Sequence, residues 1–272
     1  MSNVFVTAEI VKEQIDSGAA LRFIDCRFDL MDVVKGEQQF HESHIEGAVY
    51  FHLERDLSDM TRKASGRHPM PEKSALIQLF ETNGLRLEDT IYCYDNGAEP
   101  FAARGYWMLT FAGFTKVHIV NGGFQALVEA GLPTSSDLVA FERTNITPNW
   151  QDTIYATRQD VHAITKGDDD TILLDARAAK RYRGEFEPLD PVAGHIPTAQ
   201  NFDWEQLKNG TALMVTDNLL RTISKDQSVV VYCGSGVTAS PLYATLKEAG
   251  YDNVRLYVGS YSDWINEHNV EK

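Results

Sequence analysis

VVVYCGSGVTASPLYATLKEAG (229–250) is the stretch whose reading decides the fold. Four apolar residues run without alternation into Cys233-Gly234-Ser235-Gly236-Val237-Thr238, and ASPLYATLKEAG (239–250) then reads as a helix stopped by Gly250. A short apolar run that lacks period-two alternation suits a strand buried on both faces, as in a parallel sheet. The order strand, glycine loop, helix is therefore expected at the core of an α/β domain.

Outward from this stretch the chain says nearly the same thing twice. TIYCYDNGA (90–98) matches VVVYCGSG (229–236), and VHIVNGGFQAL (117–127) matches VRLYVGSYSDW (254–264). Upstream, LRFIDCR (21–27) matches TILLDAR (171–177), and HIEGA (44–48) matches HIPTA (195–199). Four blocks recur in one order, the first two offset by about 150 residues and the last two by about 138. The first half therefore has the longer middle loop. Each half alternates strand and helix signals: Thr7 is a candidate N-cap before Val11 and Ile15, with Gly18 as the stop, and Thr157 with Asp160 forms a capping-box pattern before Val161 and Ile164. Strands alternating with helices predict two α/β domains with right-handed crossovers. The expected boundaries are 1–131 for the first domain, a Pro-, Ser-, Thr- and Asn-rich linker over 132–152, and 153–272 for the second.

Composition bounds the function. The 272 residues are 43% hydrophobic and 24% charged, with a net charge of −14. Such a chain is repelled by phosphate backbones and anionic membrane surfaces, so neither nucleic acid nor a membrane is an expected partner. Three cysteines make no disulfide framework and fit a reducing compartment. MSNVFVTAEIVKEQIDSG (1–18) lacks a basic region followed by an apolar core, and no apolar run approaches the ~20 residues of a membrane helix, so a cytoplasmic protein is expected. The eight histidines show no metal-ligand spacing, and no metal or organic cofactor is expected.

Chemistry centres on Cys233. It ends a strand where α/β sheets bind ligands. Gly234 and Gly236 let the following loop fold tightly with its N–H groups turned inward, and the next helix starts at the same place. Partial positive charge at a helix start favours an anion, here a thiolate and an anionic substrate. The plainer alternative, a small buried hydrophobe at a strand end, suits Cys26 and Cys93, which lack a glycine loop.

CGSGVTA (233–239) after VVVY resembles the active-site loop of 3-mercaptopyruvate sulfurtransferases of the rhodanese superfamily. Thiosulfate-preferring rhodaneses usually carry Arg and Lys where Gly234 and Ser235 stand. DAR with KRYRG (175–184), GHIP (194–197), HIEGA (44–48) and the turns at Gly122-Gly123 and Gly259-Ser260 match in register over almost the whole chain. The resemblance implies two tandem parallel sheets flanked by helices. The second domain is expected to be catalytic, because Asp95 holds the place of Cys233 in the first and cannot attack sulfur.

By the same resemblance, Arg181 contacts an anionic donor, the alternative being an ion pair with Glu185 or Glu187. Arg183 is a second candidate. These enzymes often carry another arginine nine residues after the first, and here that position is Asp190, so carboxylate binding would have to come from elsewhere. Ser235 is expected to work with a first-domain histidine, matched by His44, with Asp25, Asp29 or Asp32 as orienting acids; His195 in the equivalent place makes a structural role an open alternative. SGRHPMP (65–71) resembles a substrate-covering segment, offering Arg67 and His68. Gly234, Gly236, Val237 and Thr238 complete the cradle; the Thr238 hydroxyl either contacts a persulfide or caps the helix. The implied reaction moves sulfur from a small anionic donor, 3-mercaptopyruvate or else thiosulfate, through a Cys233 persulfide to cyanide, a thiol or thioredoxin. Two rivals are a cysteine phosphatase, which would need an arginine to close the loop where Thr238 and Ala239 stand, and a non-catalytic redox-sensing or partner-binding module.

Overall fold

The computed structural model describes residues 3–267 and 269–272. The chain forms two compact units. The first gathers Met1–Ser58, Pro71–Gln151 and Asn209–Leu213; the second gathers Asp59–Met70, Asp152–Lys208 and Met214–Lys272. Each half thus contributes a short segment to the unit built mainly from the other.

In the first unit, strands β1 (Phe5–Val6), β2 (Leu21–Asp25), β3 (Val49–Tyr50), β4 (Thr90–Tyr94) and β5 (Val117–Val120) form one sheet in the order β1-β5-β4-β2-β3. Every pairing is parallel. Helices α1 (Ala8–Asp16), α2 (Lys35–Glu42), α3 (Lys73–Thr82), α4 (Phe101–Ala112) and α5 (Gly123–Glu129) connect them. Residues on the two faces of β4 alternate as the pleat requires. Tyr92 and Tyr94 join a cluster with Val6, Val11, Phe40, Val120 and Leu127, while Cys93 faces α4, where a side chain at Gly105 would meet Cys26 Sγ at 2.9 Å and Cys93 Sγ at 3.7 Å. Both cysteines are buried, and burial pushes the Cys26 thiol well up, with Cys93 adding to the shift. They are packing residues.

In the second unit, β6 (Ile172–Asp175), β7 (Gln200–Asn201), β8 (Val229–Tyr232) and β9 (Val254–Leu256) form a parallel sheet in the order β9-β8-β6-β7. A parallel bridge from Tyr155 to Leu256 stands where β1 pairs in the first sheet. Helices α6 (Arg158–Thr165), α7 (Ala179–Tyr182), α8 (Asp217–Thr222), α9 (Ala239–Glu248) and α10 (Ser260–Trp264) surround it. The Thr157–Asp160 capping box forms as the sequence predicts. All four residues of β8 are completely buried, each aliphatic one contributing about 1.5–3 kcal/mol to folding. This central strand ends in Cys233.

The duplication is atomic in detail. Asp25 and Asp175 end equivalent strands, and each accepts from its following arginine: Arg27 Nη2 and Arg177 Nη2 both lie 2.6 Å from the aspartate Oδ2. The same arginines then donate to Ser43 O at 2.6 Å and Gly194 O at 2.8 Å. Tyr94 and Tyr232 hydroxyls accept from Ile45 N and Ile196 N, each at 3.2 Å.

Two segments add detail to the expected division. Residues 132–151 of the expected linker run along the first unit, and Asp152 belongs to the second. Phe141 lies under the Arg22 guanidinium at 3.6 Å, Thr144 Oγ1 donates to Leu85 O at 2.7 Å, and Gln151 N donates to Phe111 O at 2.8 Å. Gly113, in the left-handed region at φ 98°, ends α4 under this strap, and a side chain there would meet Asn149 O at 2.6 Å. The segment carrying Arg67 and His68 was expected in the first domain and belongs to the second unit. Among the described residues, no helix is long and apolar enough to cross a membrane.

Candidate active site at Cys233

Cys233 is 1% exposed and its backbone is pinned on both sides. Its N–H donates to Ser260 Oγ at 3.1 Å, its carbonyl accepts from Tyr261 N at 3.0 Å, and Gly234 O accepts from Ser262 N at 2.9 Å. Ser260, at φ 56°, is itself anchored through Oγ to Tyr257 O at 2.8 Å. A left-handed serine is uncommon, and here its backbone turn brings the hydroxyl under the Cys233 amide. The loop carbonyls are thus engaged by the start of α10. The N–H groups of Gly234, Ser235, Val237 and Thr238 make no hydrogen bond among the described residues. Buried amides are seldom left unmatched in a folded protein, and a run of such donors can hold an anion. Gly236 has φ 75°, and a side chain there would meet Val258 O at 2.3 Å, which makes glycine obligatory. The Thr238 hydroxyl does not cap α9.

Two guanidinium groups stand at the residue after Cys233. A Cβ on Gly234 would lie 2.5 Å from Arg67 Nη2 and 3.3 Å from Arg181 Nη2. Arg181 reaches this place from α7; Arg67 is steadied by its own N–H, which donates to Ser262 Oγ at 3.0 Å. Beside Arg67 in sequence, His68 Nδ1 lies 2.8 Å from Ser235 Oγ. The structure therefore gathers Cys233, Gly234, Ser235, Gly236, Val237, Thr238, Arg67, His68 and Arg181 within the second unit.

The arginines are already paired. Arg67 Nη1 forms an ion pair with Asp190, Arg181 Nη2 lies 3.3 Å from Asp190 and 2.8 Å from Glu187, and Arg177 Nη1 lies 3.2 Å from Glu187. Burial pushes the Glu187 carboxyl up, but hydrogen bonds from Arg181 and from the N–H groups of Leu189 and Asp190 prevail, leaving it below the ordinary range. Asp190 goes the other way: burial raises it, the Arg67 charge offsets only part of the effect, and Glu187 adds to it. The ion-pair alternative for Arg181 is thus realised together with its position at Cys233, through Glu187 and not Glu185.

Two expected site residues are elsewhere. His44 is fully buried in the first unit; its Nδ1 lies 2.7 Å from Phe40 O and its ring stacks on Phe40 at 4.0 Å. His195 repeats this, with Nδ1 at 2.8 Å from Tyr182 O and its ring stacked on Tyr182 at 3.8 Å. Both are strand-entry residues, and the histidine on Ser235 is His68. Of the proposed acids, Asp25 is engaged by Arg27 and Asp29 by Lys35, and Asp32 is exposed while His44 is completely buried. Arg183 is half exposed and pairs with Glu185 at 2.6 Å, away from the cradle. The sequence reading missed Glu187 as an organiser of the arginines, and Ser260 and Ser262 as supports of the loop. The Gly259-Ser260 repeat of Gly122-Gly123 was the available signal. Among the described residues, no group of three or more His, Cys, Asp or Glu side chains could hold a metal ion.

The sequence pattern of the Rhodanese-like domain matches residues 7–130 and again 157–267. The chain belongs to the rhodanese-like family. A probable 3-mercaptopyruvate sulfurtransferase of Pseudomonas aeruginosa is 38% identical to it over 257 residues, covering 91% of this chain and 90% of the relative. A putative thiosulfate sulfurtransferase, SseB of Mycobacterium tuberculosis, is 33% identical over 270 residues, 97% of this chain and 94% of the relative. The crystal structure of SseA from Escherichia coli, described as a 3-mercaptopyruvate sulfotransferase, superposes with a TM-score of 0.82 at 30% identity, covering 96% of this chain and all of that one. The paired parallel sheets of this rhodanese-like chain are those of the family, and Cys233 lies inside the second match.

Proposed function

We propose that this rhodanese-like protein is a sulfurtransferase that takes sulfur from 3-mercaptopyruvate onto Cys233 and passes it to a thiophilic acceptor. The observation that carries the reading is Cys233 at the head of a loop of unclaimed N–H donors, with the guanidinium groups of Arg67 and Arg181 beside Gly234. The Cys233 thiolate attacks the donor sulfur. The carbon–sulfur bond breaks, its electron pair leaves on the enolate of pyruvate, and a persulfide remains on Cys233. Arg181 and Arg67 hold the donor carboxylate. The Ser235–His68 pair delivers a proton to the leaving enolate. A thiol, cyanide or reduced thioredoxin then attacks the outer sulfur, and its bond to Cys233 breaks with the electrons returning to the thiolate.

With thiosulfate the sulfur–sulfur bond would break and sulfite would leave. Arginine at position 234, usual in thiosulfate-preferring rhodaneses, would set a third cation against the two guanidinium groups here, which supports the mercaptopyruvate reading. The first domain is read as non-catalytic because of Asp95, and the protein as cytoplasmic because of its free thiols. The test is thiocyanate formation from cyanide with each donor, for wild type and Cys233→Ser. Turnover preferring mercaptopyruvate and abolished by the substitution is expected. No turnover with either donor would leave a sensing or binding module as the better reading.

A further inference from the structure

Asp190 stands nine residues after Arg181, where a further cation for the donor would be convenient, and the structure gives it a specific task. Its side chain is 3% exposed and touches both guanidinium groups that flank Gly234. It is not needed to shape its own loop. That turn is made by Glu187, whose Oε1 accepts from Leu189 N at 3.0 Å and from Asp190 N at 3.2 Å. Among the described residues the Asp190 carboxylate forms its ion pairs with Arg67 and Arg181, as an internal anion placed where a donor's anionic end must go.

We propose that Asp190 is a specificity-determining residue, a charge filter that makes the site take monoanionic sulfur donors in preference to dianionic ones. This rests on the sulfurtransferase reading and deepens it. Around the cradle, the guanidinium groups of Arg67, Arg177 and Arg181 face the carboxylates of Asp175, Glu187 and Asp190, so three positive charges meet three negative ones. The cluster is neutral with Asp190 ionised and carries one positive charge without it. At a given distance a dianion is repelled by Asp190 twice as strongly as a monoanion, and a buried setting screens that repulsion poorly. A keto-thiol donor bears one carboxylate, whereas thiosulfate bears two charges.

The experiment compares wild type, Asp190→Asn and Asp190→Ala. Asparagine keeps the shape and can still accept from one guanidinium; alanine guards against an effect peculiar to the amide. kcat/KM is measured for 3-mercaptopyruvate and for thiosulfate with cyanide as acceptor. In parallel, calorimetry reads the binding of pyruvate and of sulfate, a monoanion and a dianion that do not react, to the same variants in a Cys233→Ala background. Both substitutions should raise kcat/KM for thiosulfate on the order of tenfold more than for mercaptopyruvate, through KM, and tighten sulfate more than pyruvate by a similar factor. Equal changes for the two charges, or weaker binding of both, would overturn the filter. Absence of turnover in wild type would sink the sulfurtransferase reading alone, because the sulfate-to-pyruvate ratio still decides the role of Asp190.

Discussion

At the scale of single residues, the proposed chemistry divides between Asp190 and Cys233. Asp190 holds Arg67 and Arg181, and Cys233 is the proposed sulfur carrier. Because burial raises the Asp190 pKa, the carboxyl takes up a proton at a higher pH than an ordinary aspartate, and its hold on Arg67 and Arg181 weakens as pH falls. The groups facing it are Arg67 from the 59–70 segment, Arg177 and Arg181, Glu187, and Tyr261 of α10. Guanidinium groups stay charged over this pH range, and the Arg181 guanidinium helps hold Glu187 below the ordinary carboxylate range. Sulfate affinity of the Cys233→Ala protein should therefore rise as pH is lowered from 8 toward 5, and the Asp190→Asn variant should lose most of this dependence. A parallel rise in both proteins would assign the effect to another group. Arg177 gives a second prediction. Its side chain is completely buried and pairs with Asp175, which is also completely buried. Arg177→Leu would leave that carboxylate without its partner, at a cost of about 3–5 kcal/mol, read as a lowered urea midpoint.

The loops that follow the two central strands show how one element was put to two uses. Phe124 N donates to Asp95 O at 2.8 Å just as Tyr261 N donates to Cys233 O at 3.0 Å, so Asp95 occupies the place of the cysteine. Its carboxylate turns onto its own loop, accepting from Gly97 N at 2.9 Å and Ala102 N at 3.0 Å. Where the second domain leaves donors open, the first supplies its own anion. That anion is strained by its setting: burial first, with the charge of Glu99 adding, raises Asp95 from 3.8 to about 7. A raised carboxyl stabilises the fold in its protonated form, fully below about pH 4 and progressively less as pH rises through about 7. Asp95→Asn cannot ionise, so its stability relative to wild type should improve between pH 4.5 and pH 8, by about 2–4 kcal/mol. Urea unfolding at the two pH values checks this, and an unchanged difference would mean that Asp95 is not titrating. The elements themselves were legible in the sequence, because β-branched runs, the Thr157 capping box and the glycine loop are all signals between near neighbours. The sequence offers two readings of His44, catalytic or structural, and its ring stacked on Phe40, repeated by His195 on Tyr182, describes a packing device. The sequence offers Glu187 as a partner for Arg181 but gives no sign of its bond to Arg177, since that depends on two arginines converging in space.

At the scale of the whole molecule, the repeat does not produce two self-contained halves. The second unit takes residues 59–70 from the first half, and the first takes residues 209–213 from the second. Both exchanges are specific. Asn121 Nδ2 donates to Leu213 O at 3.1 Å, Asn121 Oδ1 accepts from Leu213 N at 2.9 Å, and Gly122 N donates to Thr211 O at 3.0 Å. In the second unit, Asn266 Nδ2 donates to Ala64 O at 3.0 Å, Arg67 N donates to Ser262 Oγ at 3.0 Å, and His68 meets Ser235. The partners in the second unit are 167 to 202 residues apart in the chain, and no local pattern announces such a pairing. Their chemistry makes the first half part of the site by way of two side chains. The isolated second half, residues 152–272, retains Cys233, the loop and Arg181 but has neither Arg67 nor His68. Its Ser235 loses its histidine, and one of the two guanidinium groups that position the donor is gone. Losing a positioning group and a proton carrier together should lower kcat/KM for mercaptopyruvate on the order of 10²-fold or more. The full chain carrying Arg67→Ala and His68→Ala should fall by a similar factor while keeping its wild-type circular dichroism spectrum, which separates lost chemistry from lost folding. Persulfide formation on Cys233, read by intact-protein mass spectrometry after one exposure to donor, gives the same comparison without an acceptor. A double variant that turns over and loads sulfur like wild type would show that the borrowed segment is a cover, and that Cys233 and its own loop suffice.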